Sequence, residues 1–331
     1  MKIIALEEHF TNPALNADIQ KQVQKLSPHF YEAFGNNGLV GSPNPEELMD
    51  LGDIRIANMD ANKIDIQCLS YSAPGAQILP PAEAISFARE ANDYLADSIK
   101  AHPDRFVGFA MLPTSAPEQA AIELERAVQQ LNFKGFMING RTDDLFLDHV
   151  KFRPILEAAS ALDVPLFLHP SLISKGIQES YYGGFDPVLS TRFATAGFGW
   201  HAETGIHAMR MILGGIFDEY PNLQIILGHW GEMIPPFLER LDLTMSGAAK
   251  HLQRSVSEYF TNHMYVTPSG MWSLPQLKMN MDIMGADRIM YSVDYPFIKN
   301  EEARAFLENA PISDLDKEKI AYSNAKQLLK L

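Results

Sequence analysis

The chain of 331 residues contains one cysteine, Cys68, which rules out an intramolecular disulfide. Its setting, Ile66-Gln67-Cys68-Leu69, reads as a buried and inert thiol. No apolar run reaches the roughly 18 uncharged residues that a membrane-spanning helix needs. Positive charge is scarce: 27 Lys and Arg stand against 41 Asp and Glu, a net charge of −14. A field of that sign repels nucleic acid and anionic membrane, so neither is expected as a partner. The glycine motifs of nucleotide binding are missing, both G-x-G-x-x-G after the first strand-like run and G-x-x-x-x-G-K-[ST] anywhere. The amino terminus carries one lysine and then meets Glu7 and Glu8, too early for a secretory signal, so a cytoplasmic protein is the expectation.

Apolar surface, by contrast, is abundant. Hydrophobic residues make up 46% of the chain, with 19 Phe, 11 Tyr and 3 Trp, enough for a large core. Length alone suggests about two domains of roughly 150 residues, unless one large α/β barrel takes the whole chain. Strand-like runs at 2–6, 65–70, 106–112, 135–138, 164–168, 223–227, 264–266 and 288–292 alternate with helical patterns. The clearest helices are expected at 82–101, 117–131, 152–161, 201–213, 234–241, 274–284 and 301–308. Runs such as Pro165-Leu166-Phe167-Leu168 are apolar at consecutive positions, as strands covered on both faces are.

Eight such units predict an α/β fold of the (β/α)8 TIM-barrel type, with 1–331 as a single domain. The doubly wound rival lacks its fingerprint. Two insertions are expected, at about 10–60 after the first strand and 171–200 after the fifth. The second holds Tyr181, Tyr182, Phe185, Phe193, Phe198 and Trp200, which either clasp a flat substrate or anchor the loop to the barrel.

Charged and imidazole side chains fall at strand ends. Glu7 and His9 close the first run, His169 the fifth, His229 the sixth and Asp294 the eighth. In a barrel all these ends ring one mouth, so distant residues converge there. Glu7 and His9 are two apart and share a strand face, while Glu8 points away. Glu7, His9, His169 and Asp294 then form a mixed nitrogen and oxygen set for one divalent metal, with Zn2+ fitting and Mn2+ or Fe2+ compatible with the same ligands. Glu232 lies three residues after His229 and either orients that imidazole or is a favourable acid in a helical first turn. His201 and His207 fall on an expected helix with Glu203, where His201-x-Glu203 is no ligand pair. His29, His102, His149, His251 and His263 read as surface, capping or loop residues.

These residues resemble the metal-dependent amidohydrolase superfamily, in the branch of aminocarboxymuconate semialdehyde decarboxylase and the hydroxybenzoate decarboxylases. The resemblance rests on Ala5-Leu6-Glu7-Glu8-His9-Phe10, on Leu168-His169-Pro170, on Gly228-His229-Trp230-Gly231-Glu232 and on Tyr291-Ser292-Val293-Asp294-Tyr295-Pro296, and it covers nearly the whole chain. The opening Glu-Glu-His-Phe is most similar to 2,3-dihydroxybenzoate and γ-resorcylate decarboxylases. It implies a distorted barrel with one metal on Glu7, His9, His169 and Asp294, and His229 with Glu232 as catalytic partners. It further implies that Arg240 binds an acidic substrate across a subunit interface of a dimer or tetramer, and that Asn139 lies on the substrate side.

The reaction so implied is non-oxidative decarboxylation of a small aromatic carboxylic acid such as 2,3- or 2,6-dihydroxybenzoate. Asp294 would protonate the ring carbon, and His229, oriented by Glu232, would tune the substrate's protonation. The alternative on the same residues is hydrolysis of an amide or lactone, with Asp294 as general base.

Overall fold

Seven strands pair in parallel and in chain order: β1 Ile4–Phe10, β2 Ile66–Tyr71, β3 Phe106–Met111, β4 Gly135–Asn139, β5 Leu166–His169, β6 Ile225–Leu227 and β7 Met264–Val266. The computed structural model describes residues 1–35 and 41–331, so 36–40 of the first expected insertion lie outside the described residues. Helices Pro81–Ala101, Pro117–Gln130, Arg153–Leu162, Gly199–Leu213 and Val256–His263 connect successive strands, and Leu274–Met284 follows β7. The helix expected at 234–241 is split into a 3-10 turn, Pro235–Phe237, and the helix Leu238–Met245.

Strand geometry sends successive side chains to opposite faces, and here both faces are covered. Ile4, Leu6, Cys68, Phe109, Met137, Phe167, Ile226 and Met290 pack together inside the curved sheet. Ile3, Ala5, Leu69, Ala110, Phe136, Ile138, Leu166 and Leu168 face outward, into the same cluster as Leu95, Leu124 and Leu156 of the helices. That double burial is why these strands are apolar at consecutive positions.

β1 breaks the alternation once. Ala5 pairs with Gln67 but Glu8 pairs with Leu69, so β1 carries one residue more than β2 over that step. This is a β-bulge, and Glu7 within it takes a left-handed φ of 64°. β1 also continues through Glu7, Glu8 and His9 rather than stopping before them, as the expected strand 2–6 does.

The expected eighth strand at 288–292 is not a regular strand. Its residues make isolated bridges, Val266 with Ile289 and Leu6 with Ser292, so that the segment touches both β7 and β1. Met290 N–H donates to Val266 and Leu6 N–H to Tyr291, and the bulge at Glu7 then interrupts the ladder until His9 N–H reaches Tyr295. No helix among the described residues is long and apolar enough to cross a membrane.

The helix Gly199–Leu213 buries His207, whose Nε2 accepts the Leu147 N–H at 2.9 Å. Burial, with Arg141 and Arg210 nearby, lowers His207 to about 3. An imidazole depressed in the folded state contributes stability above its unfolded pKa of about 6.5 and loses it as pH falls toward the folded value. Thermal unfolding followed across that window should drop more steeply for wild type than for His207→Gln. Parallel curves would remove His207 from the acid sensitivity.

Candidate active site

The bulge decides which side chains of β1 reach the mouth. An unbroken strand with Ile4 and Leu6 inward would turn Glu8 inward as well; the extra residue instead turns Glu7 and His9 in and Glu8 out. His169 ends β5 on the same inner face as Phe167, and Asp294 follows the bridging segment with a left-handed φ of 69°. One ligand atom from each of Glu7, His9, His169 and Asp294 then lies within 4.8 Å of the others. His9 Nε2 is 3.2 Å from Asp294 Oδ1, and His169 Nε2 is 3.7 Å from Glu7 Oε1.

Surrounding groups orient two of these side chains, Glu7 and His9, by their far atoms. Glu7 Oε2 accepts from the hydroxyls of Ser269, Thr267 and Ser292, and Ser70 Oγ lies 3.2 Å from His9 Nδ1. Glu7 Oε1 and His9 Nε2 are left buried with no hydrogen-bond partner. Buried polar atoms are rarely left so, and here both converge on one point. A Cβ at Gly228 would sit 2.8 Å from Glu7 Oε1, so glycine keeps that space open.

Burial pushes Glu7 up to about 8, with His229 opposing and Asp294 adding to the rise. Burial together with His9 and His229 holds His169 well below the usual imidazole range, in the neutral form that a metal ligand needs. The four residues form a group that can hold a divalent metal ion: two imidazoles, two carboxylates and orphaned inner atoms, one of them on a carboxylate that is costly to ionise without a cation.

Beyond β6 the backbone turns left-handed for five residues, His229 through Met233, all with positive φ. Glu232 is therefore not an acid in the first turn of a right-handed helix. It accepts from His229 Nδ1 at 2.7 Å and from His201 Nδ1 at 3.0 Å. Such backbone costs roughly 1–2 kcal/mol per non-glycine residue. It is held by His229 N–H on Ser269 Oγ, Trp230 N–H on Thr267 and the buried Trp230 indole on Met271. Burial works to lower His229, but the Glu232 carboxylate, its hydrogen bond, Glu7 and Asp294 outweigh it and raise the imidazole to about 9. Glu232 in turn is held below the carboxylate range, since His229 and His201 overcome its burial.

A cavity of about 670 Å3 opens onto His169, His201, His229 and Asp294 and is walled by Trp200 and Phe297. It is large enough for a small aromatic acid.

The amidohydrolase family model matches residues 9–331. The chain belongs to the amidohydrolase family. A gamma-resorcylate decarboxylase from Polaromonas sp. is 39% identical to this amidohydrolase, over 99% of its chain and 98% of the relative. A solved dihydroxybenzoic acid decarboxylase from Polaromonas sp., with manganese and the inhibitor 2-nitroresorcinol, superposes with a TM-score of 0.86 at 35% identity, covering 100% of this chain and 97% of that one. A 5-carboxyvanillate decarboxylase from Novosphingobium aromaticivorans, with manganese and 4-hydroxy-3-methoxy-5-nitrobenzoic acid, gives 0.92 at 33% identity, covering 100% and 96%.

Not every expected residue of the amidohydrolase joins the cavity. Asn139 is buried beside its pair partner His169, with both amide atoms unpartnered, but it is not in the cavity wall. Arg240 is exposed on Leu238–Met245, away from the cavity of its own chain. Of the aromatic set in the second insertion, only Trp200 lines the cavity; Tyr182 packs edge-on against Phe193, and Tyr181, Phe185 and Phe198 are exposed. His263 is buried rather than on the surface, donating from Nδ1 to Leu223 O. His201 is the residue that sequence reasoning passed over: a helical position carries no sign of the carboxylate it meets 31 residues later.

Glu8, turned outward and fully buried, has its own task. Its Oε1 accepts Val293 N–H at 3.0 Å and its Oε2 accepts Tyr295 N–H at 3.2 Å, so one carboxyl group grips the backbone on both sides of Asp294. Arg55, equally buried, braces the same strand by donating to His9 O at 2.7 Å. Glu8→Gln puts an amide NH2 against one of the two backbone N–H groups. Loss of that acceptor should cost about 1–3 kcal/mol in urea unfolding; stability within about 0.5 kcal/mol of wild type would show that the segment does not hang on Glu8.

Proposed function

We propose that this amidohydrolase is a metal-dependent, non-oxidative decarboxylase of hydroxybenzoate-type acids, with 2,6-dihydroxybenzoate the first candidate and 2,3-dihydroxybenzoate the second. The observation that carries the reading is the convergence of orphaned Glu7 Oε1 and His9 Nε2 with His169 and Asp294 at a cavity large enough for a small aromatic acid. Full-length relatives that decarboxylate such acids support it. In this reading the whole chain, 1–331, is one barrel domain, with 289–292 as the eighth stave between β7 and β1.

Glu7, His9, His169 and Asp294 would hold the ion. Zn2+ suits two imidazoles and two carboxylates, and Mn2+, present in the solved relatives, suits them equally. When bound, the ion supplies a Lewis acid that stabilises negative charge on the substrate's carboxylate and phenolic oxygens. Asp294, the most exposed of the four at 18%, carries the proton to the ring carbon that bears the carboxylate; carbon dioxide leaves as the ring regains aromaticity. His229, with Nδ1–H fixed on Glu232, keeps Nε2 for a hydrogen bond to the substrate. Trp200 and Phe297 exclude water from the ring faces. Asn139, outside the cavity wall, keeps its unpartnered amide beside His169 on the β4 side.

Arg240 fits the site of a second copy better than its own. It stands among exposed Phe237 and Leu243, at 59% and 73%, an apolar face that a homo-oligomer would cover. Such a cation, with the metal, would let a protein of net charge −14 bind an anion.

Metal-loaded protein incubated with 2,6- and 2,3-dihydroxybenzoate should release carbon dioxide as the substrate's ring absorbance falls. Turnover of lactones or amides with both acids inert would overturn the reading. Asp294→Asn should lower kcat by about 100-fold or more with circular dichroism unchanged, in line with loss of a general acid. Elemental analysis should find about one divalent ion per wild-type chain and far less in His9→Ala. Two tight ions per chain would contradict a mononuclear site.

A further inference from the structure

Glu232 serves two histidines. Its Oε1 takes His229 Nδ1 and its Oε2 takes His201 Nδ1, with the two imidazole centroids 4.2 Å apart. The carboxylate is 1% exposed, so the protein itself must satisfy both oxygens. With Nδ1–H committed to Glu232, His201 Nε2 is free to accept the Trp200 indole N–H at 3.0 Å, and the Ala196 carbonyl oxygen lies 3.1 Å from the same nitrogen. Trp200 stacks on Phe34 at 6.3 Å and 16°. Both insertions therefore reach the Glu232 carboxylate through one imidazole.

The helix Gly199–Leu213 is built for this contact. Gly205 lies one turn beyond His201, on the same face, and a Cβ there would sit 2.4 Å from the Glu232 carbonyl oxygen. Only glycine lets the helix approach the left-handed turn closely enough for His201 to reach the carboxylate.

We propose that His201 is a positioning residue of this site: by donating Nδ1–H to Glu232 Oε2 it sets the orientation of the carboxylate that holds His229. Without it, Oε2 loses its partner in a buried setting, the carboxylate is free to turn, and His229 loses the fixed orientation that presents Nε2 to the substrate. The kinetic part of the test rests on the decarboxylase reading; a spectroscopic part does not.

With Zn2+-loaded protein carrying 15N-histidine, the wild type should give two low-field imidazole N–H proton signals from the pair on Glu232. His201→Ala should abolish one and displace the other. A second signal at its wild-type position overturns the proposal, whatever the enzyme's substrate. With 2,6-dihydroxybenzoate, His201→Ala should lower kcat about 10–100-fold, the range for groups that orient a catalytic partner, with KM changed less than about threefold. His201→Asn sets an amide N–H where Nδ1–H stands and should recover to within about threefold of wild type. His201→Gln, whose amide reaches the Nε2 position, should not. Equal rates for the alanine and asparagine variants overturn the proposal, as does a wild-type rate for alanine. A wild type inert toward hydroxybenzoates that still shows the coupled signals overturns the decarboxylase reading and leaves His201 in place.

Discussion

The bulge at Leu6 and Glu7 reverses the parity of β1 halfway along its length, and the rest of the site follows from that reversal. Ahead of it, Ile4 and Leu6 fill the inside of the sheet; past it, Glu7 and His9 take the inside and Glu8 is sent to the outer layer. A strand without the bulge would bury one carboxylate over the core and leave both candidate ligands facing the helices. Because the side-chain period of a strand is two, one residue is enough to exchange the faces. The same reversal lets Glu8 hold the backbone on both sides of Asp294. Two neighbouring glutamates thus serve one site from opposite faces, Glu7 by pointing a free oxygen into it and Glu8 by fixing the segment that supplies Asp294.

Carboxylates and imidazoles at the mouth act on one another at short range, whatever the acidic whole. Glu7, Glu232 and Asp294 face His9, His169, His201 and His229 across a few ångströms. Each buried carboxylate resists ionisation unless a cation or donor is near. Glu232 has two imidazoles and falls below its ordinary range, whereas Glu7 has hydroxyl donors on one oxygen alone and rises. The contrast separates a carboxylate whose partners are already present from one with an unpartnered oxygen that a metal ion could take.

Much of this was legible in the chain. The helices, seven of the eight strand-like runs and the convergence of Glu7, His9, His169 and Asp294 follow from hydrophobic period and from polar residues at strand ends, both local properties. The eighth run met neighbours on two sides, a bulge and a left-handed Asp294, and pairs only through isolated bridges. Glu232 read equally well as a capping acid because nothing local announces five consecutive left-handed residues. In the sequence His201 is an ordinary helical residue, since its role depends on a helix and a turn approaching across Gly205.

By itself, then, the sequence determined which residues have metal-ligand chemistry and that they lie near strand ends, because period and residue type are written along one dimension. It also determined that the chain has apolar surface for covering a sheet on both faces. Tertiary structure alone decided which of the two glutamates faces the mouth, that His201 shares Glu232 with His229, and that Arg240 stands outside its own cavity. Those outcomes depend on the register of one strand against another and on how closely a helix packs on a turn, and such three-dimensional relations leave no mark on any single stretch of chain.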